Sequence, residues 1–166
     1  ELRERDTRWL GIRLEQARTP RPPASEPMFF VVEDGGKLPT RSYAGDAGFD
    51  LYTLGDRTIQ PGATLDVPCG VSVQLPEGVW ALLTGRSSTL RNLGLLVNTS
   101  VIDQGYRGPL YALVKNLNGK PIEIKNGQRV AQMIPFPLTS TRLHAVSVDV
   151  LAESDRGTAG FGSSGA

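Results

Sequence analysis

From Met28 onward, the chain consists of short apolar or alternating segments that are separated by turn residues. β-Branched and aliphatic residues are common in these segments, and several segments alternate between apolar and polar positions, which is the period of a strand with one buried face. The segments are MFFVVE, TLDVPCGVSVQL, VWALLT, GPLYALVKN, RVAQMIPFPL and LHAVSVDV. No long segment repeats its apolar positions with the period of a helix, so the pattern predicts strands.

Glycine, proline and asparagine mark the turns between these segments, at the even spacing that is typical of all-β folds. The marks are Gly35-Gly36, Pro61-Gly62, Pro76-Glu77-Gly78, Asn118-Gly119 and Asn126-Gly127. The two Asn-Gly pairs predict hairpin turns, because both residue types tolerate a positive φ. The sequence therefore predicts a β-sandwich, a β-barrel or a jelly roll.

The two ends of the chain differ in composition from this β region. Residues 1–27 alternate arginines with acids and carry apolar positions spaced for a short amphipathic helix, until TPRPPASEP ends any helix because proline lacks an N–H. Residues 151–166 are rich in glycine and serine, which is typical of a flexible tail. We expect an N-terminal extension with a Pro-rich linker over 1–27, a β domain over 28–150 and a flexible arm over 151–166.

Composition limits the classes of partner and compartment. The net charge of +1 gives no electrostatic reason to expect nucleic-acid binding. One cysteine excludes an intramolecular disulfide and a multi-cysteine metal site. There is no apolar run of the roughly 18 residues that a membrane helix needs. We expect an intracellular protein, cytoplasmic or nuclear and possibly virus-encoded, that does not bind membranes.

Two polar clusters in the first half of the β region contain candidate chemistry. AGDAGFDL, residues 44–51, offers Asp46 and Asp50, which more often cap a turn than bind a ligand when such a string stands alone. TGRSSTLRNLG, residues 84–94, puts the Arg86 guanidinium beside the hydroxyls of Ser87 and Ser88, which is a plausible anion-binding set.

Two further clusters follow. In VIDQGYRG, residues 101–108, Asp103 comes directly after a strand and is either a general base or a turn acid, while Tyr106 either packs on a sugar or covers the edge of the core. In GQRVAQM, residues 127–133, strand alternation would place Gln128 and Gln132 on one side, where they face a partner or a polar pocket or are simply half-exposed.

Taken together and in order, five strings of the sequence resemble the five motifs of the trimeric dUTPases (dUTP diphosphatases). The resemblance covers roughly residues 35–166 and leaves out the N-terminal extension. The strings are Ala44–Leu51, Gly85–Ser88, Val101–Gly108, Gly127–Met133 and Arg156–Gly165.

The resemblance implies a jelly roll, or distorted β-barrel, that forms homotrimers with active sites shared between chains. It implies hydrolysis of dUTP to dUMP and pyrophosphate, with Mg²⁺, by attack of water on the α-phosphorus. Asp103 would activate the water and contact the sugar 3′-hydroxyl, and Tyr106 would lie under the deoxyribose. Asp50 would help to position the hydrated metal, through water.

The remaining substrate contacts are implied in the same way. Ser87 and Gln132 would bind the phosphate chain, with Arg86 holding the local network and Ser88 beside it in the anion-binding set. A short hairpin from Val97 and Asn98 to Asp103 would contact the uracil edge, largely through main-chain groups.

In the tail, the resemblance assigns roles to Arg156, to Phe161 and to the small residues Gly160, Gly162, Ser163 and Ser164. Arg156 would pair with the γ-phosphate and Phe161 would stack on uracil. The small residues would let the backbone close over the triphosphate. The tail would then be flexible without substrate and closed with it.

Two alternatives remain open at this point. A dCTP deaminase has a related fold and a similar Gly-Arg-Ser-Ser string, but its proton-shuttling glutamate would match Leu113, and leucine cannot transfer a proton. A nucleotide-binding or partner-binding protein without catalysis is the second alternative, although Asp103 and Tyr106 are both present.

Overall fold

The computed structural model describes residues 26–139, together with residues 145, 147 and 152–154. These residues contain ten β-strands and one short helix, which confirms the all-β prediction. The predicted N-terminal helix, the predicted strand over 143–150 and the Gly-rich arm lie almost wholly outside the described residues. In the described part of the chain, no helix is long and apolar enough to span a membrane.

Apart from residues 33–48 between β1 and β2, the described elements follow one another through connections of six residues or fewer. In chain order they are β1 (Phe29–Val32), β2 (Phe49–Tyr52), β3 (Arg57–Ile59), β4 (Thr64–Gln74), β5 (Val79–Gly85), α1 (Ser87–Leu93), β6 (Leu95–Val97), β7 (Ser100–Ile102), β8 (Pro109–Asn116), β9 (Ile122–Ile124) and β10 (Arg129–Pro137). The predicted strands in the MFFVVE, TLDVPCGVSVQL, VWALLT, GPLYALVKN and RVAQMIPFPL segments are all present.

Two four-stranded antiparallel sheets make up most of the fold. The first has the strand order β1–β4–β8–β6 and the second the order β2–β10–β5–β7, while β3 and β9 form a separate two-stranded sheet. Alternate residues of β8 are buried, as its sequence predicts. Both large sheets contribute to one hydrophobic cluster, for example through Val71 and Val114 of the first sheet and Leu83 and Met133 of the second. This double-sheet arrangement is that of a jelly roll.

The two Asn-Gly pairs do not form hairpins, so this prediction was wrong. β8 pairs with β4 and β6, whereas β9 pairs with β3 and β10 pairs with β2 and β5. Gly127 does adopt the left-handed conformation, with φ +74°. The asparagine side chains bind other loops instead, since Asn126 Oδ1 accepts a hydrogen bond from Gly55 N–H and Asn118 Nδ2 donates to the carbonyl of Leu93.

A short helix, α1, follows β5 and was not predicted. It ends at Gly94, whose φ of +62° and N–H bond to the Leu90 carbonyl are typical of a helix C-cap. Its one buried residue is Thr89, whose hydroxyl donates to the Val130 carbonyl at 2.8 Å. This bond fixes the helix to β10. Arg86, just before the helix, and Ser87, its first residue, therefore lie beside the second sheet.

Cys69 is an ordinary core residue of β4. Its side chain is buried, and loss of hydration raises the pKa of the thiol from its usual 9.0 to about 12. A thiol that stays protonated is a poor nucleophile. Cys69 therefore contributes packing and no chemistry.

Candidate active site

Asp50 is the centre of a small charged network on the second sheet. Its Oδ1 lies 2.7 Å from Nε of Arg86 and its Oδ2 lies 3.0 Å from Nη1 of Arg129. The Asp50 side chain is only 13% exposed, so it depends on both arginines to compensate for lost hydration. Asp50 therefore lies in a strand and binds side chains, whereas the turn-capping interpretation applies to its neighbour Asp46.

Asp46 closes the preceding turn with both its backbone and its carboxylate. Its N–H donates to the Tyr43 carbonyl at 3.1 Å, and its Oδ2 accepts from Tyr43 N–H at 2.9 Å. The turn brings residues 42–48 to the edge of a cavity of about 370 Å³, within the size range of small-molecule sites. We call it the phosphate-side cavity, after the phosphate contacts that the sequence predicts for some of its residues. The side chains that line it include Asp50, Arg86, Ser87 and Gln132.

The residues of this cavity come from neighbouring strands in register. Gln132 of β10 pairs with Asp50 of β2 on one side and with Thr84 of β5 on the other. β5 then ends, and the next two residues are Arg86 and Ser87. The structure thus brings together four of the residues that the sequence predicted to bind phosphates or metal.

Gln132 is held in one position by two glycines. Its Nε2 donates to the Gly85 carbonyl at 2.9 Å. Its Oε1 occupies the space that a Cβ on Gly48 would need. Gly48 therefore accommodates this side chain by lacking one of its own, whereas any residue at position 85 would offer the same carbonyl.

Ser88 lies within α1 and does not line the phosphate-side cavity. Its hydroxyl accepts a weak hydrogen bond, at 3.4 Å, from Nη1 of Arg86. The same nitrogen lies 3.4 Å from the Arg129 carbonyl. Ser88 thus contributes to the setting of Arg86, while Ser87 is exposed at the cavity.

Asp103 and Tyr106 lie together at a second cavity, which we call the sugar-side cavity. Asp103 follows β7 directly, and Tyr106 N–H donates to the Asp103 carbonyl at 3.0 Å to close a turn. The Tyr106 hydroxyl donates to the Pro109 carbonyl at 3.0 Å, and Gly108 leaves room for the ring. Among the described residues, no hydrogen bond or ion pair engages the Asp103 carboxylate, so it is available to a ligand or water.

The predicted hairpin from Val97 to Asp103 is not a hairpin. β6 pairs with β8 in the first sheet and β7 pairs with β5 in the second, so its two arms diverge. Val97 is buried, 6% exposed, and it lines a further cavity of about 330 Å³ together with Arg86 and Ser87. Its contact with the substrate stays a prediction. Asn98 is exposed, and its backbone N–H donates to the Leu113 carbonyl. It lies in the connection from β6 of the first sheet to β7 of the second.

Gln128 and Gln132 do not act as a pair. The register of β10 against β2 shifts between Arg129 and Ala131, and the consecutive residues Val130 and Ala131 are both buried. This irregularity breaks the alternation on which the prediction rested. Gln128 Oε1 accepts from Lys125 N–H at 3.0 Å instead, within the turn before β10.

Four predicted substrate contacts lie outside the described residues. They are Arg156, Phe161, Gly162 and Ser163. Their roles stay predictions.

The sequence did not predict two residues, one that pairs with Asp50 and one that lines the sugar-side cavity. Arg129 was not singled out, although it stands inside the fourth motif string and forms one of the two ion pairs of Asp50. Tyr111 lines the sugar-side cavity with Asp103 and Tyr106. Its only signal was an aromatic residue at an exposed position of an alternating strand.

The two cavities offer complementary chemistry. The phosphate-side cavity combines a guanidinium, a hydroxyl and an amide, which together suit a phosphate chain. The sugar-side cavity combines an unengaged carboxylate with two aromatic rings, which suits a general base beside a nucleoside. They share no lining residue, so each cavity of one chain provides only part of the predicted set.

Comparison with known proteins gives a consistent result. Residues 34–165 match the family model described as dUTPase. The deoxyuridine 5′-triphosphate nucleotidohydrolase of Leifsonia xyli is 45% identical over 132 residues, which cover 78% of this chain and 86% of that protein. The enzyme of the same name from Clostridium tetani is 35% identical over 137 residues, covering 81% of this chain and 93% of that protein.

A solved structure shows the same similarity in three dimensions. The Staphylococcus bacteriophage 80alpha dUTPase with dUPNHPP superposes with a TM-score of 0.80 at 26% sequence identity. The match covers 86% of this chain and all of that chain.

Proposed function

The chain belongs to the dUTPase family, and we propose that it hydrolyses dUTP to dUMP and pyrophosphate with Asp103 as the general base. The observation that carries this proposal is the unengaged Asp103 carboxylate beside Tyr106, in a chain whose Arg86, Ser87 and Gln132 form a separate anion-binding cavity. A family match to dUTPases also favours hydrolysis over the dCTP deaminase alternative, and Leu113 in β8 has no proton to exchange.

Phosphate binding is the task of the phosphate-side cavity. The Ser87 hydroxyl and the second N–H of the Gln132 amide can donate to phosphate oxygens. Arg86 is oriented by Asp50 at 2.7 Å, so its guanidinium keeps one position while it neutralises charge. Cleavage of a phosphoanhydride requires mainly such positioning and charge stabilisation.

Asp103 removes a proton from the attacking water. A carboxylate that accepts no other hydrogen bond among the described residues retains its lone pairs for this water. Tyr106 is held by its bond to Pro109 at 3.0 Å, so its ring forms a rigid wall for the deoxyribose. A 2′-hydroxyl would collide with this wall, so we expect the chain to hydrolyse the deoxyribonucleotide and not the ribonucleotide.

Mg²⁺ fits this donor set if the substrate supplies most of its ligands. Among the described residues, no group of three His, Cys, Asp or Glu side chains is arranged to hold a metal. Both oxygens of Asp50 already accept from arginines, so Asp50 can serve a metal only through a bound water that donates to a remaining lone pair. When bound, the metal would neutralise charge on the phosphate oxygens.

We infer that the working form is a homotrimer with shared sites. The two cavities of one chain share no lining residue, which favours sites in which a second copy brings its Asp103 to the Arg86 of the first. Val101 and Tyr111 beside Asp103 are 63% and 48% exposed, and a neighbouring chain would cover this apolar surface. Arg156 and Phe161 of the tail would complete the site, and an intracellular location stays a prediction.

The test is pyrophosphate release from dUTP with Mg²⁺, run beside dCTP, dTTP and UTP, with ammonia followed in the dCTP sample. We expect rapid release from dUTP alone. Ammonia from dCTP would instead indicate a deaminase. Binding of dUTP without any product would indicate the non-catalytic alternative.

A further inference from the structure

One glutamine links the turn that carries Asp103 and Tyr106 to a distant part of the chain. Gln104 Oε1 accepts a hydrogen bond from Gly78 N–H at 2.8 Å. Within the described part of the chain, the other hydrogen bonds of residues 103–107 stay inside that loop or reach only Pro109. The Gln104 bond is thus the one that fixes this turn to a part of the described chain outside residues 103–109.

The turn needs such a link because the strand before it is short. β7 has three residues and lies at an edge of the second sheet, next to β5. Internal bonds, from Tyr106 N–H to Asp103 and from Arg107 to the Gln104 and Tyr106 carbonyls, set the shape of the turn. They do not tie the turn to the neighbouring turn between β4 and β5, which in the described chain only the Gln104 bond reaches.

Gly78 is a suitable anchor, since it is itself held in place. Its φ of +70° lies in the left-handed region, which favours glycine. Val79 N–H donates to Pro76 at 3.2 Å to close the turn between β4 and β5, and the Gly78 carbonyl accepts from Leu138 N–H at 2.7 Å. Gly78 therefore joins the exit of β10 on one side and Gln104 on the other.

We propose that Gln104 is a positioning residue that holds the Asp103–Tyr106 turn in its reactive place through Gly78. The inference rests on the function proposed above for Asp103. Gln104 need not touch the substrate to act in this way, because its side-chain oxygen Oε1 already accepts a hydrogen bond from Gly78 N–H. One solvent-accessible hydrogen bond contributes little free energy, so we expect loss of the Gln104 bond to lower the rate by a factor of roughly five at most.

The experiment compares three variants with the full-length wild-type protein. Gln104→Met removes the acceptor and keeps the length of the side chain, whereas Gln104→Glu keeps an acceptor. Gln128→Met is the matched control, because Gln128 Oε1 also accepts one backbone N–H in a turn, that of Lys125. kcat and KM for dUTP are measured at pH 8, where carboxylates are ionised, together with the melting temperature.

We expect kcat of Gln104→Met to fall roughly fivefold, with KM changed less than kcat. Gln104→Glu should restore kcat, and Gln128→Met should lower the melting temperature similarly while keeping the wild-type kcat. The proposal is overturned if Gln104→Met keeps the wild-type kcat, if Gln128→Met loses as much, or if Gln104→Glu is as slow as Gln104→Met.

Hydrogen exchange provides a readout that does not depend on activity. The Gly78 amide should exchange faster in Gln104→Met than in the wild type, and at the wild-type rate in Gln104→Glu. An unchanged rate in Gln104→Met would overturn the link itself. A wild-type protein that does not hydrolyse dUTP would contradict the proposed function, and the exchange result would still decide whether Gln104 holds the turn.

Discussion

Gly48 and Gln132 lie so close together that a Cβ on Gly48 would overlap Oε1 of Gln132. The Gln132 amide is bound on its other side by the Gly85 carbonyl at 2.9 Å. A larger residue at position 48 would therefore displace the far end of a side chain that we expect to contact phosphate.

Gly48→Ala should lower kcat/KM for dUTP by about tenfold or more, while the free energy of unfolding changes little, since a flexible side chain can yield. The control is Gly45→Ala in the same loop, where a Cβ meets nothing within 4 Å. Both variants are compared by steady-state kinetics and urea denaturation. Equal kinetics in the two would show that the position of Gln132 does not matter.

Asp50→Asn should reduce kcat/KM by about tenfold or more, because Arg86 loses the charged partner that orients it. The control is Asp56→Asn, which removes an exposed carboxylate paired with Lys125 at 3.4 Å, away from both cavities. We expect wild-type kinetics from this control. A mild effect of Asp50→Asn would mean that Ser88 and the Arg129 carbonyl suffice to orient Arg86.

Asp103→Asn should lower kcat by at least about 100-fold, because an amide cannot accept the proton of the attacking water. Binding of dUTP should persist, since the phosphate-side cavity is unchanged. Pyrophosphate release measures kcat. Calorimetric titration with a non-hydrolysable dUTP analogue measures nucleotide binding. Near-normal turnover would rule out Asp103 as the base.

Two inactive variants should complement each other if sites are shared between chains. In trimers refolded from equal amounts of Asp103→Asn and Arg86→Ala chains, about a quarter of the sites would join an intact Asp103 to an intact Arg86. Activity should thus rise well above that of either variant refolded alone. No gain in the mixture would place both residues of each site on one chain.

Burial of Cys69 should make stability depend on alkaline pH. The folded thiol has a raised pKa, about 12 against an ordinary 9.0, so above pH 9 the unfolded chain loses a proton that the folded chain retains. The contribution of Cys69 to the free energy of unfolding is fully present below pH 9. It is lost as the pH rises, by up to about 1.4 kcal/mol per pH unit. The free energy of unfolding of the wild type, minus that of Cys69→Ala, should fall accordingly between pH 9 and 10.5. A constant difference would contradict the burial.

The sequence predicted the elements whose signal is local. The alternation in GPLYALVKN gives β8 because a strand with one buried face has a period of two. The turn at Pro76-Glu77-Gly78 is also present, with Gly78 at φ +70°, because proline and glycine constrain the backbone directly. Asp103 directly follows β7, because the β-branched residues Val101 and Ile102 before it favour a strand.

Features that depend on distant partners could not be predicted. α1 has seven residues with one buried among them, which is too little for a helical period. The Asn-Gly pairs join strands that pair elsewhere, and turn chemistry alone does not specify the pairing. Likewise, the contact between Arg129 and Asp50 joins residues 79 positions apart, and only the register of β2 against β10 brings them together.

Because its one thiol is buried and protonated, the chain is ready for site-selective labelling without replacement of its native cysteine. A cysteine introduced at Gly45, beside the phosphate-side cavity, would be the single reactive thiol and could carry a fluorophore or spin label. Gly119, where a Cβ also meets nothing within 4 Å, would carry the same label in the bend before β9. A pair of such proteins would separate signals of nucleotide binding from those of general motion.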